Sequence, residues 1–432
     1  MSAPSPGSSS QGKRSLWNLR NLPRSSALSK YRAALERAGK RPSRFPPLSY
    51  FSPTAWWLWL RSYAREAFAR SCPFRTDAGP RQSIYRLRNE YGAEKVRVAM
   101  AGDWGTGTAE AEFVTESMVP AADPPHYTIH LGDVYYVGDA PAIGENCLGK
   151  RNPSGGPFSP VRWRLGRLGS FAMNGNHEMY ATGEPYFSDF LPKLGLLENG
   201  KPTGQRVSYF CLENDHWRMI GLDTGYHSRG IPFLQMFGAI IPLLRPSCKL
   251  PDAVIAWLRE IVRIQEDHSR GLILLTHHQY YSAFEESYPK TAEQLSELID
   301  RPVLWFWGHE HRMAGYRLQG SKKIQAHGRC IGHGGMPVER AKARSLPKPA
   351  SVAFFDNRLY ANPGNFGWNG YVTLDFDGPH LKVQYLDIEG IRRGANRVLI
   401  EENWSVDNQG GLTVEIGQRC MQADFYGPQE WG

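Results

Sequence analysis

Five short blocks of this 432-residue chain place Asp, Asn and His where apolar runs give way to loops. They read Gly102-Asp103-Trp104-Gly105, Gly132-Asp133-Val134-Tyr135-Tyr136, Gly175-Asn176-His177-Glu178, Thr276-His277-His278 and Gly308-His309-Glu310-His311. Carboxylate, amide and imidazole donors in this mixture suit iron, zinc or manganese. One block alone says little, because glycine followed by Asp is ordinary turn chemistry. Together the five carry enough donors for two metal ions, provided that the fold brings the run-ends to one place.

The runs themselves say how that happens. Val96–Ala101, Tyr127–Leu131, Ser170–Met173, Trp217–Leu222, Gly271–Leu275 and Val303–Trp307 are short and nearly continuously apolar. That is the pattern of strands buried on both faces. Helical patterns lie between them, at Ala109–Val119 and from Pro251-Asp252 through Ile264; Pro and Asp suit a first turn. Strands alternating with helices imply an α/β sheet whose functional loops sit at the strands' carboxyl ends. Further on, Gly370–Phe376 and Leu381–Leu386 flank Asp377-Gly378, a hairpin signal, and are expected to complete a second sheet.

In this order the five blocks resemble those of the calcineurin-like metallophosphoesterases, over roughly residues 96–390. The resemblance implies a four-layer α/β/β/α sandwich holding a dinuclear metal centre. Carried over block by block, Asp103 and His311 would bind the first metal, and Asp133 would bridge both. Asn176, His277 and His309 would bind the second. His177 would face the substrate, stabilising the transition state or protonating the leaving oxygen. His278 reads as a substrate contact or a packed ring, and His333 as a substrate contact or an ordinary loop histidine. Asp223 reads as a carboxylate that holds its loop.

One departure is informative. Many members of the family read Asp-x-His in the first block, and that His binds the first metal; here the position is Gly105. The purple acid phosphatase branch shows the same loss and compensates with a tyrosine three residues after the bridging aspartate, which here is Tyr136. Tyr136 is therefore expected as a phenolate ligand, with a packed aromatic as the alternative. Tyr135 points the other way if the stretch is still extended. A phenolate suggests iron(III) at the first site, with iron, zinc or manganese(II) at the second. The implied reaction is hydrolysis of a phosphoester, monoester before diester, by a metal-bridged hydroxide. A phosphodiesterase of the same fold and a non-catalytic, metal-stabilised scaffold at a membrane or partner surface are the competing readings. The substrate, small or macromolecular, is not legible.

Charge and composition describe the remainder. The net charge is +9. Residues 1–50 hold ten Lys and Arg against Glu36 alone, so the rest of the chain is neutral. Residues 1–48 read as a basic, disordered arm that can contact an anionic membrane, nucleic acid or an acidic partner. No specific nucleic-acid motif is present. Residues 49–95 open on Trp56-Trp57-Leu58-Trp59-Leu60 and read as a helical, aromatic-rich extension, docked on the main domain or lying in a membrane interface. Residues 391–432 read as a C-terminal extension packed on or trailing the domain. Ile231–Leu244 is apolar but broken by Pro232, Gly238 and Pro242, and suits a buried insertion, a lid or a lipid-contacting loop. Six scattered cysteines without a C-x-x-C pair, no apolar signal segment and no membrane-length run point to a cytoplasmic protein, peripheral to a membrane at most.

Overall fold

The structure is a computed structural model that describes residues 69–135, 137–150, 160–230, 246–320, 324–341, 351–360, 366–388, 397–422 and 424–426. Among these the strands form two nine-stranded sheets and one small two-stranded pair. The first sheet has at its centre Val96–Ala101, Tyr127–His130 and Gly169–Ala172, all parallel. Gly370–Asp377 pairs antiparallel to Val96–Ala101, and His380–Asp387 follows through a turn at Gly378. The second sheet is centred on Trp217–Gly221, Gly271–Thr276, Val303–Trp307 and Ala326–Ile331, again all parallel. These central strands are buried along almost their whole length, as their unbroken apolar runs require.

Three packed cores account for four layers. One lies between the sheets, where Val98, Met100, Ile129 and Phe171 meet Met219, Ile273, Leu304 and Phe306. The outer face of the first sheet carries the helices Ala109–Met118 and Ala140–Asn146, through Ala111, Val114 and Ile143. Both helices start on a capping side chain: Thr108 Oγ1 accepts from Ala111 N, and Asp139 Oδ1 from Ala142 N. The outer face of the second sheet carries Asp252–Trp257, continued by the wider turn Leu258–Val262, and Lys290–Leu295. The layering is α/β/β/α, as the resemblance implied.

Two segments differ from expectation. The described part of 49–95 is not helical: it runs irregularly through turns and contributes Ile84–Arg86, a strand parallel to Phe210–Glu213 at the sheet edge. Pro73, Gly79 and Pro80 break the helical pattern there. The described part of 391–432, expected to pack on the domain or trail it, joins both sheets. Arg397–Val406 and Leu412–Arg419 extend the first sheet beyond the hairpin, while Phe425–Tyr426 pairs with Val352–Asp356 in the second. The basic arm, the tryptophan-rich stretch, Ile231–Leu244 and Tyr136 lie outside the described residues. No helix among the described residues is long and apolar enough to cross a membrane. All six cysteines are buried thiols.

Candidate metal centre

Both sheets deliver their carboxyl ends to one place. Asp103 follows Val96–Ala101, Asp133 follows Tyr127–His130, and Asn176 follows Gly169–Ala172. From the other sheet, His277 follows Gly271–Thr276 and His309 follows Val303–Trp307. The chain must turn sharply at each end to aim a short side chain back across the gap between sheets. Asp103, Asp133 and His309 accordingly adopt left-handed backbone, with φ of 55°, 72° and 65°. Such conformations cost about 1–3 kcal/mol each and persist where surrounding structure imposes them.

Gly105 explains the departure in the first block. Its backbone bridges to Val134, and a Cβ there would lie 2.8 Å from the Asp133 carbonyl oxygen. Any side chain at 105 would push the two aspartate loops apart. Glycine is therefore a packing requirement of these neighbouring turns.

The donors fall into two groups, with Asp133 between them. Asp133 Oδ1 lies 3.2 Å from His277 Nε2, which in turn lies 3.1 Å from Asn176 Oδ1. Asp133 Oδ2 lies 3.2 Å from the Tyr135 hydroxyl, which is 2.7 Å from Asp103 Oδ1 and 2.9 Å from His311 Nε2. One carboxylate thus shows a different oxygen to each group. His309 sits beside His277, with ring centroids 5.2 Å apart, and is the partly exposed member of the set.

Neighbouring groups hold the donor atoms in coordinating orientation. His277 Nδ1 is 2.8 Å from the Leu131 carbonyl, which makes it the protonated nitrogen and leaves the Nε2 lone pair free to bind a metal. Asn176 Nδ2 donates to the Tyr180 hydroxyl, so its Oδ1 is the atom presented to the centre. His177 donates its backbone N–H to Asp133 Oδ1, and its ring packs 4.2 Å from that of Tyr135. Glu178 ties two loops together, accepting from the N–H groups of Asp133 and Gly175.

The electrostatics are those of a centre built to hold cations. Burial pushes Asp103 up to about 7, despite the His277 charge nearby. Burial, reinforced by the Asp133 charge, pushes Glu178 up to about 8. Burial alone would raise Asp133 as well, but His177, His277 and His309 overturn that and hold its carboxyl well below the usual range. Burial would lower His277, yet the Asp133 charge takes it up to about 9. Without metal, His277 carries the charge that partly balances these buried carboxylates; bound cations would take over that role and free its Nε2 lone pair. The mutual spacing of about 3 Å among donors is that of neighbours on one octahedral ion with bonds of about 2.1 Å. The residues present fit two metals.

The remaining candidates are placed as follows. His278 lies beside the cluster, its ring 4.7 Å from His309 and its Nδ1 3.1 Å from Thr224 Oγ1. His333 is not brought to the donors. Its ring is buried beside Gly370 at the start of a strand, and neither ring nitrogen has a hydrogen-bond partner. Asp223 holds its loop, accepting from Ser208, Asn174 and the Tyr226 N–H. Tyr135 corrects the alternation argument: the chain leaves the extended state at Asp133, so Tyr135 turns into the centre. Glu178 stands in its block with no sign of its role, since a carboxylate serving backbone N–H groups has no sequence signature.

The calcineurin-like phosphoesterase family model matches residues 96–313, just over half of the chain. The chain belongs to this family. Among solved structures it is similar to the purple acid phosphatase PPD1 from yellow lupin (Lupinus luteus) seeds, at 15% identity and TM-score 0.48. That match covers 76% of this chain and 56% of the lupin chain, so this chain spans little more than half its length. It is similar to a structure named PhoD at 14% identity and TM-score 0.45, covering 76% and 72% of the two chains. It is also similar to GAP50, described as the anchor in the inner membrane complex of Plasmodium. There the identity is 12%, the TM-score 0.43, and the coverage 75% and 90%. A comparison with curated proteins finds no match.

Proposed function

We propose that this chain hydrolyses a phosphomonoester at a two-metal centre resembling that of the purple acid phosphatase branch. The observation that carries the reading is the Asp133 carboxylate, which turns one oxygen toward His277 and Asn176 and the other toward Asp103 and His311. In this reading Asp103 and His311 hold the first ion, Asn176, His277 and His309 the second, and Asp133 both. When bound, the two ions supply Lewis acidity toward the phosphoryl oxygens and a water of lowered pKa.

The chain's own residues do the rest. His177 stands next to Asp133, its Nε2 3.7 Å from Oδ2, where it donates a proton to the leaving oxygen. Tyr180 packs against His177, and Tyr288 against His278 and His309, so both rings border the histidines that would meet the substrate. In this reading those rings crowd the substrate position, which favours a terminal phosphoryl group over one substituted on two sides. His278 lies between Tyr288 and His309, where it can orient the substrate.

The test is metal analysis of purified protein together with a paired screen of chromogenic phosphomonoesters and phosphodiesters. About two ions per chain and faster turnover of monoesters are expected. Full phosphate release by Asp133→Asn would sink the two-metal reading, and preference for diesters would sink the monoester assignment.

A further inference from the structure

We infer that Tyr135, two residues after the bridging aspartate, is the phenolate ligand of the first metal, in place of the Tyr136 that family spacing indicates. The inference rests on the two-metal reading above. Its basis is how crowded one hydroxyl is. The Tyr135 oxygen lies 2.7 Å from Asp103 Oδ1, 3.2 Å from Asp133 Oδ2 and 2.9 Å from His311 Nε2. Asp103 Oδ1 and His311 Nε2 are themselves 3.4 Å apart. A phenol has one proton to donate, so while it can accept from His311 Nε2 it serves only one of the two carboxylates fully. A single cation can serve them all, because the Tyr135 oxygen, Asp103 Oδ1 and His311 Nε2, 2.7–3.4 Å apart, suit neighbouring vertices around one ion with bonds of about 2.1 Å.

Burial and packing point the same way. Tyr135 is fully buried, and its backbone carbonyl is held by Asn146 Nδ2 at 2.7 Å. Its backbone N–H donates to the Gly105 carbonyl at 3.0 Å. The bare Gly105 backbone that supplies no ligand therefore anchors the residue that replaces it. Coordination exchanges the phenol proton for the cation, the proton passing to solvent, with no change of oxidation state. The ring's contact with His177 makes the same residue a wall for the substrate histidine.

The test uses the full chain loaded with iron(III). Bound metal and phosphate release by the wild type check the underlying reading, and absence of both would remove it. The visible phenolate-to-iron charge-transfer band checks only the tyrosine. Tyr135→Phe should lose the band, keep the metal on the Asn176–His277–His309 side, and unfold cooperatively. Tyr136→Phe should retain the band. A loaded, active wild type without a band overturns the inference, as does a band lost in Tyr136→Phe or surviving both substitutions. Should Tyr135→Phe fail to fold, the Tyr136→Phe spectrum alone decides: a retained band supports Tyr135 and a lost band overturns it.

Discussion

At the residue scale, roles separate by what each side chain touches. Asp133 serves both donor groups, so Asp133→Asn should lose metal loading and phosphate release together, measured by elemental analysis and a phosphate assay. The His177 ring lies near Asp133 and packs against Tyr135, and in the proposed reaction it protonates the leaving group without binding metal. His177→Ala should lower turnover by about 10²–10⁴-fold with bound metal unchanged; an equal loss of metal would assign it a ligand role instead. His333 is a test of the opposite kind. Burial depresses its pKa to about 4, against 6.5 for a free imidazole. Below pH 6.5 the unfolded chain takes up a proton that the folded chain refuses. Its contribution to stability is therefore complete above 6.5 and falls away as pH drops toward 4, by up to about 3 kcal/mol. His333→Asn should flatten that part of the acid-unfolding curve and leave turnover within about twofold. A large rise in KM would return His333 to the substrate.

At the element scale, the two sheets are joined by more than apolar packing. Arg329, on Ala326–Ile331 of one sheet, donates from Nε and Nη2 to Glu402, on Arg397–Val406 of the other, at 2.9 and 2.6 Å. Both are almost completely buried, and Tyr385 and Trp404 also donate to Glu402. Removing one partner strands the other charge. Arg329→Met should cost about 3–5 kcal/mol in denaturant unfolding, and the double change with Glu402→Leu should recover much of it. The helices have smaller tasks. Their caps at Thr108 and Asp139 fix where each helix leaves the loop that carries Asp103 or Asp133.

At the scale of the whole molecule, the centre exists only where two sheets meet, so neither half of the chain can bind both metals. Asp103, Asp133 and Asn176 come from one sheet, and His277, His309 and His311 follow strands of the other. The last strands belong to this assembly. Leu399, Ile400, Trp404 and Cys420 lie in the core between the sheets. Truncation before residue 397 should therefore abolish cooperative thermal unfolding, although no proposed ligand is removed. Metal should also couple to global stability. Chelation leaves Asp103, Asp133 and Glu178 buried together without cations, so the Tm should fall, by about 4 kcal/mol of stability if the ions are present at a thousandfold their Kd. An unchanged Tm after complete metal removal would argue against ligation by the buried carboxylates.

The sequence by itself determined the central strands and the candidate donors that close them. Val96–Ala101 and Val303–Trp307 were legible to the residue because a strand buried on both faces has no polar alternative. Asp103, Asp133, Asn176, His277, His309 and His311 were legible because polar residues closing such runs stand out against them. Tertiary structure decided what depends on backbone turns and on neighbours distant along the chain. The left-handed turn at Asp133 carries Tyr135 inward, which alternation along an extended strand cannot anticipate. Burial beside Gly370 takes His333 away from the donors, and the pairing of Arg397–Val406 with His380–Asp387 makes an apparent tail part of a sheet. Residue type limits what a side chain can do, while the direction of the backbone at each strand end decides whether it reaches the place where that chemistry is used.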